Sequence, residues 1–447
     1  MKRKTSSLLD FVPEKYIKKI KFNPQQTEEC LNEDIWVKIM EYLTCQEVLL
    51  TMMLVSKKIF QFAREVPLKL SVDYVTREDV FNSSNVKRIS SINIGEASHI
   101  PCSIMQYIDE VRKNDIIGAD KLMNSDKILG LTSLTLHSES TQGIQSIFKD
   151  NSKLKNLKQL TIHQACFYPF AYESILQNTN LASIDSITLD FFEATYKTCH
   201  DSYPVTPLAE SPIFKNARSF HILNSWQFQD KEIMDLFQSP NFQNINNITL
   251  DCDNLTTKTI QTLASSKLDI HYLKITAPSD CTSDTLLEVV TVAKPFQNLH
   301  SLIILYCDPI QNTTFMDFVK KGPQRNLKTL DLCLQEVDVH VINCISRESK
   351  FRNIEHLALC DEREFVDLDS LIEWTKWKPA KVLSFFGTSC CRFISEEEFN
   401  IFLDHLELSN WRSVKNFHLD FIPLECLGRL RSILFHSTVT TDEFDEE

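Results

Sequence analysis

The chain has 447 residues, 43% hydrophobic and 24% charged, with a net charge of −13. That length exceeds one ordinary core and suits a small domain followed by a repeat array. The acidic balance argues against nucleic acid and anionic membranes as partners, because phosphate binding wants clustered Lys and Arg.

Seven glycines, none in a G-x-G, argue against a phosphate-cradling loop and against nucleotide chemistry. No apolar run reaches the ~20 residues that span a bilayer. The basic stretch from Met1 to Lys21 lacks a signal-peptide apolar core. The expected location is the cytosol, the nucleus or both. There are fourteen cysteines and no C-x-x-C pair. In a reducing compartment they read as free thiols used as small hydrophobes.

Residues 1–27 read as a flexible basic tail, and Lys2-Arg3-Lys4 is too short a cluster to carry a nuclear address. Residues 28–72 read as short apolar helices. Leu31, Ile35, Ile39 and Leu43 recur at steps of four, forming one helical stripe. Asn32 can cap that helix, with Glu33 and Asp34 in its first turn. Thr44-Cys45-Gln46-Glu47 fits a capping box opening a second helix through Val48 and Leu49 to Val55. A third helix, from Ser56, stops before Pro67.

From residue 86 to 438 the phrase apolar-x-x-apolar-x-apolar returns at Ile89, Leu131, Leu157, Ile184, Ala217, Ile245, Ile270, Leu299, Leu327, Ile354, Ala380 and Val414. Its last two apolar residues share one face of a short strand. Amphipathic stretches follow several phrases. Thr282-Ser283-Asp284 leads into one, and Ser395 with Glu398 forms a capping box before another. Such a unit cannot bury its own apolar face, but stacked units can. Residues 439–447 form an acidic tail expected to be disordered.

The array resembles leucine-rich repeats of the longer, irregular kind, through its L-x-x-L-x-L core. The segment Leu31–Phe62 resembles an F-box, through Leu31, Ile35, Ile39 and Leu43 in the first helix, Val48 and Leu49 in the second, and Val55-Ser56-Lys57-Lys58-Ile59 in the third. Asn32, Ser56 and Ile59 depart from the proline, cysteine and tryptophan of the family pattern. The implied fold is α/β, with a small all-helical F-box followed by a solenoid horseshoe of roughly twelve irregular units.

The resemblance implies a substrate receptor of a cullin–RING ubiquitin ligase that performs no bond chemistry itself. Leu31, Asn32, Ile35, Ile39, Leu43, Val48, Leu49 and Val55 would meet the Skp adaptor, and through it the cullin. The alternative is an interaction scaffold unrelated to ubiquitination, with the N-terminal helices capping the solenoid.

Strand positions alternating with the core would line the inner face and meet a protein substrate. They include His137, His163, Asp190, Asp251 and Lys274, then the more apolar Ile303, Leu305, Cys333, Cys360 and Phe386. No catalytic motif, metal-ligand cluster or cofactor site is expected, because the histidines are scattered and no G-x-S-x-G, H-E-x-x-H or P-loop occurs.

Overall fold

A computed structural model of the chain describes residues 68–72, 89–94, 126–137, 152–163, 178–190, 209–225, 230–252, 255–276, 281–305, 308–322, 324–348, 351, 353–361, 368–376, 385–389, 395–409, 416–419, 424–434 and 438–440. The helices expected between residues 28 and 64 lie outside these. The chain forms two compact units, Met1–Leu160 and Thr161–Glu447.

In the first unit, β1 (Leu68–Val72), β2 (Ile89–Ile94) and β3 (Ser133–His137) pair in chain order, all parallel. Residues 68–72 follow Pro67, before which the third helix is expected to stop, and form a strand. Short 3₁₀ turns at Asp126–Gly130 and Ser152–Asn156 carry the chain between strands. Leu131, Leu134, Leu154, Leu157 and Leu160 are buried.

β4 (Gln159–His163) spans the boundary between the units. The second unit continues with β5 (Ser186–Asp190), β6 (Ser219–Ser225), β7 (Asn247–Cys252), β8 (Tyr272–Thr276) and β9 (Ser301–Leu305). Then come β10 (Thr329–Leu334), β11 (His356–Asp361), β12 (Phe385–Ser389), β13 (Asn416–Leu419) and β14 (Thr438–Thr440). From β5 to β14 each strand pairs with the next, in parallel.

The intervening α-helices are α1 (Asp230–Gln238), α2 (Thr257–Ser265), α3 (Ser283–Val292) and α4 (Asn312–Lys321). They continue with α5 (Val339–Arg347), α6 (Leu368–Lys376), α7 (Glu396–Leu408) and α8 (Leu424–Ile433). Each helix packs on the next. One strand per repeat, in chain order, with a helix stacked behind, is a solenoid-like arrangement.

The sequence explains the layers. In the phrases from Leu157 to Ile354 the first apolar residue closes the turn and the other two point behind the sheet: Ile245, Ile248 and Leu250 are all buried, as are Leu299, Leu302 and Ile304. Helix stripes meet them, with Ile260 and Leu263 from α2, Leu286, Leu287 and Val290 from α3, and Phe315, Phe318 and Val319 from α4. Thr282 caps α3 through the Thr285 N–H, and Ser395 and Glu398 form the expected capping box on α7.

Seven described repeats are tied at the turn before the strand, to the carbonyls of Thr132, Asp185, Arg218, Asn246, His271, His300 and Lys328. The carbonyl of Asp185 accepts from the N–H of Arg218 and of Ser219, at 2.8 and 3.0 Å. The same fork recurs from Asn246 and Asn247 to Arg218, from His271 and Tyr272 to Asn246, and from His300 and Ser301 to His271. Asparagines in that turn reach back as well. Asn156 donates to the Leu129 carbonyl, Asn216 to that of Ala182 and Asn244 to that of Lys215, at 2.6, 2.7 and 2.7 Å. Two residues before Asn216 and Asn244 stand Phe214 and Phe242, fully buried with ring centroids 4.5 Å apart.

Phe242→Ala should cost about 3–5 kcal/mol, because it empties a buried ring position that the stacked repeats cannot collapse into. Leu408→Ala, at a side chain 88% exposed, should change stability by no more than about 0.5 kcal/mol. Chemical denaturation of the two variants against the parent chain checks the contrast.

Candidate functional site

The face of the second unit opposite its helices is built from residues that alternate with the buried ones. Along β8 they are Tyr272, Lys274 and Thr276, and along β9 Ser301, Ile303 and Leu305. In-register pairing stacks these residues into rows. One row runs Thr188, His221, Thr249, Lys274, Ile303, Asp331, Ala358 from β5 to β11. The next pairs Asp190 with Leu223, Asp251 with Thr276, Thr276 with Leu305, and Cys333 with Cys360.

Lys274, Ile303, Leu305, Cys333 and Asp251 are half-buried, and Asp190 is buried. His137 lies in β3 of the first unit, and His163 and Cys360 lie in β4 and β11. Leu31, Asn32, Ile35, Ile39, Leu43, Val48, Leu49 and Val55 lie outside the described residues.

Phe386 lies in β12, whose backbone pairs it with Leu357 of β11 and with Phe417 of β13.

Two features of the face were not singled out from the sequence. The first is Asn224, a non-glycine residue at φ +53° just past the β6 core, where the pairing with β7 shifts register. Its side chain donates to Asp190 Oδ1 at 2.8 Å, and its backbone N–H donates to Asp251 Oδ2 at 3.1 Å. One residue therefore holds carboxylates of both flanking strands. Asn tolerates the left-handed region better than other side chains do, and an Asn two places beyond a phrase end was the available signal.

The second feature is a polar cluster around Thr249. His221 Nδ1 lies 2.8 Å from Thr249 Oγ1. Burial lowers the His221 pKa, which favours the neutral ring. Burial also raises the Tyr272 pKa, opposed by a hydrogen bond with Thr249 and reinforced by the charge of Asp331, so the phenol stays protonated. His356, on β11, is likewise lowered by burial.

The charges on these rows from β5 to β11 are therefore Lys274 against Asp190, Asp251 and Asp331. Toward β9 and β11 the face turns apolar, with Ile303, Leu305 and Ala358 half-buried. Among the described residues, no group of three His, Cys, Asp or Glu side chains could hold a metal ion. No described helix is long and apolar enough to cross a membrane.

Asn224→Ala should destabilise the chain by about 1 kcal/mol more than Asn224→Gly, because both lose the bond to Asp190 but only Ala retains the left-handed strain. Denaturation midpoints of the two variants decide it. Leu305→Ser, at a half-buried position, should cost less than about 1 kcal/mol, and Leu302→Ser, on the buried row of the same strand, about 3 kcal/mol or more. Comparable losses at both positions in thermal melts would place Leu305 in the core.

No protein-family model matches the chain, and no curated protein matches it. Among solved structures it is similar to one described as the crystal structure of the Rad7 and Elc1 complex in yeast. The identity is 14% and the TM-score 0.48, over 78% of this chain and 94% of that one.

Proposed function

We propose that the chain is the substrate-recognition subunit of an SCF-type cullin–RING ubiquitin ligase. On this reading Leu31, Asn32, Ile35, Ile39, Leu43, Val48, Leu49 and Val55 form the surface that seats the Skp adaptor, and the adaptor links the chain to the cullin. The inner face of the solenoid holds the protein to be modified. The chain acts by proximity, raising the local concentration of a lysine-bearing substrate near the charged conjugating enzyme. It forms and breaks no bond itself and works in the cytosol or the nucleus.

The observation that carries the reading is the asymmetry of the parallel sheet. One face is sealed behind helices, whereas Ile303, Leu305 and Ala358 stay half-exposed on the other, beside Lys274 and Asp331. A half-open apolar patch with charges beside it has the makeup of a protein-binding surface. It stands in the same chain as a segment, Leu31–Phe62, that resembles an F-box. The two together motivate a bridge between an adaptor and a substrate.

The test is coprecipitation of the purified chain with a Skp adaptor. The parent chain should retain the adaptor. Ile39→Lys should abolish retention, because it sets an unpaired charge into an apolar contact. Its circular dichroism should stay that of the parent. Failure of the parent chain to bind the adaptor removes the ligase role.

A further inference from the structure

The helix side of the second unit carries a groove between α1 and α2. It holds about 610 Å³, within the ~300–1,000 Å³ of clefts that take ligands. Two facing stripes build it. On α2, Lys258, Gln261, Thr262 and Ser265 recur at steps of three and four, beside the buried stripe of Thr259, Ile260 and Leu263. On α1 the same spacing brings Met234 and Gln238 to the groove. Phe237 and Leu268 are buried and close its floor. Met234 is half-buried in its wall, whereas Gln238, Gln243, Lys258, Gln261 and Lys267 are exposed.

The charge of the groove is opposite to that of the chain. The lining includes two lysines and no carboxylate, in a protein of net charge −13. Among the described residues, neither lysine forms an ion pair, and the side-chain amides of Gln238, Gln243 and Gln261 form no hydrogen bond. Lysines on other helices are spent internally: Lys321 pairs with Asp317 on α4 and Lys376 with Glu373 on α6, each at 2.6 Å. Lys258 stands in the first turn of α2 and Lys267 just past its end. At 1.5 Å per residue they lie about 13 Å apart along the helix axis.

We infer that the α1–α2 groove binds an extended acidic segment of a partner protein. Carboxylates four residues apart meet Lys258 and Lys267, and the side chain midway between them rests on Met234. Four residues of extended chain span about 13 Å, and alternate side chains share one face. A glutamine amide is both donor and acceptor, so the three amides match the N–H and C=O groups that an extended chain leaves unbonded. A helix has already spent those groups on itself. Nucleic acid does not fit, because two lysines neutralise too few phosphates on an acidic chain. The groove lies across the sheet from the inner face, so the inference goes beyond the substrate reading and does not depend on it.

The experiment titrates a fluorophore-labelled peptide, Gly-Ser-Glu-Thr-Leu-Thr-Glu-Ser-Gly, with the purified full-length chain and reads anisotropy. The parent should bind it saturably. Lys258→Met and Lys267→Met should each weaken binding about fivefold, the value of one exposed ion pair near 1 kcal/mol. Lys258→Arg and Lys267→Arg should retain it. Lys258→Glu should regain binding to a peptide in which one glutamate is replaced by lysine, because opposite charges attract across the contact. All these positions are exposed, so melting temperatures should stay those of the parent.

Lys274→Met, on the inner face, should leave the affinity unchanged. A loss there with none at Lys258 or Lys267 would move the peptide to the inner face and overturn the inference. Absence of saturable binding by the parent would overturn it too. So would displacement of the peptide by inorganic phosphate as effective as by unlabelled peptide, which would assign the groove to a simple anion. The titration uses no adaptor, so a failed Skp interaction leaves its result standing, and a failed titration leaves the ligase reading to be judged alone.

Discussion

The solenoid depends on a carbonyl shared at each turn. One C=O, such as that of Asn246, accepts the N–H groups of the two residues opening the next strand, His271 and Tyr272. The oxygen has two lone pairs and thus room for both donors. Each fork fixes where the following strand begins relative to its predecessor. Once the start is fixed, the pairs that follow are set until a shift such as that at Asn224, and with them the face of each side chain. A repeat that slipped by one residue would lose the fork and turn its apolar pair outward. Polar satisfaction and apolar burial therefore select the same register.

That register gives the inner face its texture. Side chains stack directly over their neighbours because successive strands start level, so chemistry drifts along the solenoid as a set of rows. Around β5 to β7 the rows are polar and cross-linked, with Asn224 holding Asp190 and Asp251, and with Thr249 close to both His221 and Tyr272. Around β9 the rows become apolar, with Lys274 and Asp331 at either side of Ile303. The first region spends its polar groups on itself.

Much of this was legible in the sequence because strand burial has a period of two and the phrase is short. Leu302 and Ile304 identify both the strand and its buried face without help from neighbours. Thr282 and Ser395 mark their helix starts because a cap is a local event. What was not legible is non-local. The asparagine ladder at Asn156, Asn216 and Asn244 joins each turn to a carbonyl of the preceding one, 27, 34 and 29 residues back. Asn224 matters through carboxylates from two other strands, which no local window contains.

The same geometry says what kind of work the face suits. Bond chemistry needs polar groups converging on a point within a dry, concave pocket. In-register parallel strands set neighbouring side chains nearly parallel at about 4.8 Å, which spreads functional groups along a line. A line of groups recognises an extended object well, since each rung adds one contact and a mismatch at any rung leaves a charge or hydroxyl unpaired.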